Sequence, residues 1–174
     1  EYISDFDMED YLAISEMEKT MGGAKAINEY ILNRIQNAPS EAAPLFDDIS
    51  FKCAKHIGAH KNEFITTLLG QSRFGVREQD ICQISKTFGL DISPADFSLY
   101  RKMFRMHLVQ RSDGRWDFNH QALRTTVSES SRRNNQGEEI KFLTAQHFLS
   151  LPVDDIIRRN ELMYYLTCCK MYQE

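Results

Sequence analysis

Several kinds of chemistry are missing from this sequence. It has no run of about eighteen apolar residues, the length a membrane-crossing helix needs. Its first residues, EYISDFDMED, are acidic and do not read as a signal peptide with a basic start and an apolar centre. Only four cysteines occur, Cys53, Cys82, Cys168 and Cys169, and none form a CxxC pair. That spacing excludes a zinc ribbon and a disulfide scaffold. Neighbours on a helix point about 100° apart, so Cys168 and Cys169 are not expected to pair. Free thiols facing a core, in a cytoplasmic protein, are the expectation.

Catalytic signatures are absent as well. Gly22-Gly23-Ala24-Lys25 lacks the leading Gly, the spacing and the final hydroxyl of a GxxxxGK[ST] phosphate loop. No GxSxG elbow occurs. His56 and His60 could share a metal on one continuous helix, but the Glu of HExxH is missing and Gly58 weakens the helix. No metal site and no catalysis by the chain itself are expected. Asp47-Asp48 and Asp154-Asp155 fall at helix starts, where carboxylates cap and meet the positive end of the dipole.

What is present is a β-hairpin in a helical setting. In residues 107–120, Asp113-Gly114 reads as a two-residue turn, with Leu108 and Val109 before it and Trp116 and Phe118 after it. Trp116 and Phe118 alternate with Arg115, Asp117 and Asn119, so one face of the second strand is apolar. Helices are predicted over 7–21, 24–37, 43–57, 61–69, 76–88, from Pro94 through Phe104, and over 121–130, 138–150 and 153–172. Gly89 stops the fifth, and Ser93-Pro94 opens the sixth with an N-cap and a first-turn proline. Residues 131–137 read as a polar, mobile loop. Residues 162–172 are apolar nearly all round, as in a helix covered on more than one side. The fold class expected is mainly α: a helical bundle with a winged-helix domain carrying one hairpin wing.

Charge is divided unevenly. Residues 1–50 carry a net charge of −8 and residues 51–174 a net of +4. Arg101, Lys102, Arg105, Arg111, Arg115, Arg124, Arg132 and Arg133 gather around the hairpin, where they could face solvent, meet phosphates or meet the acidic N-terminal part. The chain begins at Glu1 without Met and ends without a helix-stopping Gly or Asn. It is therefore expected to be an excised piece of a longer protein.

The order of these parts resembles the C-terminal portion of a STAND-class signalling NTPase, the group of NACHT, NB-ARC and MalT-like proteins. Residues 22–27, Gly-Gly-Ala-Lys-Ala-Ile, are similar to the GxP segment of the helical lid that touches adenine, with Ala24 or Lys25 in the place of Pro. Residues 68–81 are similar to the lead-in to the winged helix. Phe118-Asn119-His120-Gln121-Ala122-Leu123-Arg124 is similar to the F-x-H-x-x-h-[RQ] pattern that closes the wing. The resemblance implies that His120 reaches the β-phosphate of ADP in a closed state, with Gly23 and Lys25 on the adenine side. It implies a lid remnant at 1–40, a winged-helix domain with leading helices at 41–132, and helices leading into a repeat region at 133–174. The cofactor is then ADP or ATP, held by an ATPase core elsewhere in the parent and not by this part alone. The partners are that core and a C-terminal repeat domain or protein.

Two other functions fit the same layout. A nucleic-acid-binding winged helix would place Pro94 through Phe104 in the major groove and Arg111 and Arg115 on phosphates. Against it stand the net charge of −4 and the Phe97, Tyr100, Met103 and Phe104 stripe. A protein–protein scaffold would use the final apolar helix.

Overall fold

A computed structural model describes residues 8–19, 23–36, 42–133 and 136–171. The described residues form nine helices and three strands: α1 Met8–Glu18, α2 Gly23–Gln36, α3 Ala42–Ile57, α4 Ala59–Gln71, β1 Val76–Arg77, α5 Glu78–Thr87, α6 Pro94–Met103, β2 Leu108–Gln110, β3 Arg115–Phe118, α7 Gln121–Arg133, α8 Gln136–Ser150 and α9 Ile156–Cys168. None of these helices is long and apolar enough to cross a membrane. The chain divides into two compact units, Glu1–Lys52 and Cys53–Glu174, with the division inside α3.

In the first unit, α1 and α2 form a helical hairpin. Their approach is so close that a Cβ on Gly23 would lie 2.2 Å from the Met17 carbonyl oxygen. Asp47 and Asp48 do not cap α3. That helix starts at Ala42 and has no acid in its first turn. Asp48 instead pairs with Lys52, one turn on, at 3.3 Å.

The second unit carries the winged helix. The order α4, β1, α5, α6, β2, β3 closes into an antiparallel sheet of strand order β1-β3-β2, with β3 in the centre. Val76 faces Trp116 across one ladder, and Leu108 faces Phe118 across the other. Local signals set the helix ends. Ser93 and Asp96 form a reciprocal capping box with Pro94 at the first turn of α6. After α5, the Gly89 and Leu90 amides donate back to Lys86 and Ser85, a Schellman ending. Under the sheet lie Phe64, Ile65, Leu68, Leu69, Ile81, Ile84, Phe97, Tyr100 and Phe104, all essentially inaccessible. Tyr100 stacks on Phe104 at 4.4 Å and shares a 3.0 Å hydrogen bond with Thr66, which satisfies its buried hydroxyl.

The helices after the wing are packed onto it. The α4–α7 crossing is tight: a Cβ on Gly70 would sit 2.3 Å from Val127 Cγ1. Ala145, Phe148, Ile157, Tyr165 and Leu166 form a second apolar cluster between α8 and α9. Polar ties link the two parts. Arg77 donates to Asp80 and, at 3.0 Å, to Asp155, and His147 Nε2 lies 2.9 Å from Asp80.

Four sequence expectations change. The predicted helix at 76–88 begins two residues late, because Val76–Arg77 is pulled into the sheet as β1. Gly75 makes this possible: it has φ +86°, and a Cβ there would lie 2.2 Å from the Trp116 carbonyl oxygen. The hairpin turn has three residues, 112–114, not two. Arg111 N donates to Arg115 O, and only Gly114 has positive φ, whereas a two-residue type I′ turn needs two such residues. The loop expected at 131–137 is helical up to Arg133. Ser131 is buried, accepting from Gln71 Nε2 at 2.6 Å and donating to Val127 O. The last helix starts at Ile156, where Asp155 caps it, and ends at Cys168. Tyr172 lies outside the described residues.

Candidate functional site

His120 stands between β3 and α7, and its neighbours fix it. Phe118 before it and Leu123 after it are buried anchors. The Asn119 amide donates to His107 O at 2.8 Å, which clamps the chain at the strand exit. The His120 side chain is exposed. Its ring lies 6.4 Å from that of His107, edge to face, and it makes no hydrogen bond or ion pair among the described residues. The sequence thus sets an exposed histidine on a corner anchored by buried residues on both sides.

Gly23 and Lys25 lie in the other unit. Gly23 is buried, and its missing side chain serves the α1–α2 approach. Lys25 is exposed and stands 3.9 Å from Glu29, one helical turn away. Such an exposed pair contributes little.

The basic residues around the hairpin divide into two groups. Several are engaged within the unit. Arg115 is buried and donates to Asp113 and, at 2.6 Å, to Glu161 of α9. Arg111 donates to Asp117 through Nε and Nη2. Arg124 donates to the other oxygen of Asp117 and to the Ser72 carbonyl. Arg101 folds back 4.8 Å above the Trp116 ring and 3.6 Å from Glu78. On α6 the exposed cation is Lys102. The side chains of Arg132 and Arg133 lie outside the description. The wing guanidiniums that a nucleic-acid reading aims at phosphates are therefore already held by carboxylates.

Asp117 is the residue the sequence pattern missed. Alternation marks Arg115 and Asp117 as solvent-facing, yet Asp117 is 1% exposed. Its two arginine partners satisfy both oxygens. The available signal was the acid–base spacing Arg111, Asp117, Arg124 across a strand and the start of a helix.

His56 and His60 do not share a helix. α3 ends at Ile57, Gly58 has φ +92°, and both imidazoles are exposed on either side of the break. No cluster of three or more His, Cys, Asp or Glu suited to a metal occurs among the described residues. All four cysteines are free. Burial pushes the Cys53 thiol up to about 12. Burial and the nearby Glu78 raise that of Cys82.

No family model, no curated protein and no solved structure matches this chain.

Proposed function

We propose that the chain is a non-catalytic regulatory module whose winged helix packs on a nucleotide-binding core and presents His120 to a phosphate of the bound ADP or ATP, as the STAND resemblance implies. The observation that supports this is the placement of His120: exposed, on a corner pinned by Phe118 and Leu123, with no hydrogen-bond partner among the described residues. Exposed and unbonded within its unit, the imidazole is accessible to a group outside the unit. A hydrogen bond from imidazole to phosphate is charge-assisted and worth about 1.5–3 kcal/mol. It would couple the position of this module to the state of the nucleotide, so that loss of the bond frees the module. Gly23 and Lys25 would belong to the lid over adenine in the same reading.

The test is His120→Ala in the protein that joins this module to its nucleotide-binding core. ADP should dissociate roughly ten- to a hundredfold faster, and signalling should rise. An unchanged ADP off-rate removes the role. Sequence-selective binding to duplex DNA has less support, since Arg111 and Arg115 are engaged by carboxylates.

A further inference from the structure

Beside the wing, the second unit holds an open cleft of about 630 Å³, within the range of small-ligand sites. Its walls come from the end of α4, the loop at 72–74, β3, α7, α8 and α9. Four cations line it: Arg73, Arg111, Arg124 and Lys141. The carboxylate in its wall is Asp117, and Lys141 also meets Glu138 at 3.0 Å on an exposed rim. Positive charge is therefore in excess, on a chain whose net charge is −4.

Asp117 explains only half of that cluster. Its carboxylate takes two bonds from Arg111 and one from Arg124. This fixes both guanidiniums while leaving Arg111 Nη1 and Arg124 Nε without a hydrogen bond among the described residues. Arg73 and Lys141 make no bond to Asp117. The Arg73 guanidinium lies 4.7 Å from the centre of the Phe74 ring and 5.8 Å from that of Tyr164. Aromatic contact uses the flat face of a guanidinium and leaves its in-plane N–H donors open. Its side chain makes no hydrogen bond or ion pair among the described residues. Several cations gathered on one concave wall add their positive potentials there. Guanidinium forks match the paired oxygens of phosphate.

We propose that this cleft binds a small anion carrying linked phosphate groups. Arg73 and Lys141 supply the contacts that Asp117 does not use, and Arg111 and Arg124 form the fixed floor. His120 does not line the cleft. The site therefore stands or falls separately from the contact proposed for that residue.

The probes are pyrophosphate and inorganic phosphate, titrated into the chain at low ionic strength and followed by calorimetry and by amide shifts. Pyrophosphate should bind saturably and several-fold more tightly than phosphate, with shifts centred on Arg73, Phe74 and Asn119. The double variant Arg73→Glu, Lys141→Glu should weaken pyrophosphate at least about tenfold while far-ultraviolet dichroism is retained. The charge-matched double variant Lys86→Glu, Lys102→Glu, on exposed positions of α5 and α6, should leave affinity within about twofold. Arg73→Gln alone, at an exposed loop position, should cost about threefold and serves if the double variant fails to fold. Lack of saturation, equal losses in both double variants, or full affinity in Arg73→Gln would overturn the proposal.

Discussion

Arg115 on the central wing strand and Glu161 on the last helix meet at 2.6 Å, with side-chain exposures of 9% and 2%. The pair ties the wing to a helix forty-six positions further along. Glu161 Oε2 has no hydrogen-bond partner among the described residues. Removing one member of such a pair strands the other charge in a dry place, while removing both does not. Arg115→Met leaves the Glu161 carboxylate buried without its guanidinium, whereas a Glu161 variant leaves Arg115 still bonded to Asp113. Arg115→Met is therefore the single variant expected to lower unfolding free energy by about 3 kcal/mol. The Arg115→Met, Glu161→Leu double variant should recover most of it. Urea unfolding measures both. A loss below about 1 kcal/mol in the single variant would show the pair to be solvent-relaxed.

Gly70 carries the α4–α7 crossing. Alanine is the better helix former by about 1 kcal/mol. Its methyl group would nevertheless collide with Val127. Overpacking of this kind costs about 1–3 kcal/mol, so Gly70→Ala should destabilise. Adding Val127→Ala should restore part of the loss, a positive coupling that a double-mutant cycle reads directly. Simple additivity would place the clash elsewhere.

Acid should loosen the α9 end. Burial alone would raise the Asp155 carboxyl, but bonds from the Arg158 amide, the Arg77 guanidinium and the Ile157 amide outweigh it and hold the group below its ordinary value of 3.8. A depressed folded-state value means that the unfolded chain binds the proton more readily. The stability Asp155 contributes is therefore present above the ordinary value and is lost as pH falls through the lower folded one. Asp155→Asn should be less stable at pH 7, and its deficit should shrink as pH falls below about 4. A deficit that stays constant with pH would assign Asp155 a capping role without charge.

His120 should matter little to the fold. An exposed side chain without hydrogen bonds changes stability by less than about 0.5 kcal/mol when replaced. His120→Ala is thus expected to melt with the parent chain in differential scanning calorimetry. A clear drop in melting temperature would make the residue structural.

Thiol labelling separates the cysteines. Cys53 is fully buried, and its thiol is raised to about 12, so almost no thiolate exists at pH 8. Cys168 is partly accessible. Under native conditions Cys168 should label within minutes and Cys53 only as fast as the chain opens, which peptide mass spectrometry resolves. Equal rates would mean that the core of the second unit opens readily.

Local chemistry in the sequence determined the helices, the position of the wing and the corner at His120. Ser93-Pro94 with Asp96, Gly89 after α5, and Asp113-Gly114 act on neighbours within a few residues, and a short window contains all they need. Tertiary structure alone decided the rest. Val76 and Arg77 became a strand because β3 lay open to pair with them. Ser131 stayed in a helix because Gln71 covers it. Asp117 and Arg115 alternate as solvent-facing charges do, yet they are buried: Arg111 and Arg124, six and seven residues away, hold Asp117, and Glu161, forty-six residues away, holds Arg115. Burial of a charge depends on a partner, and the partner of Arg115 on α9 lies beyond any local window.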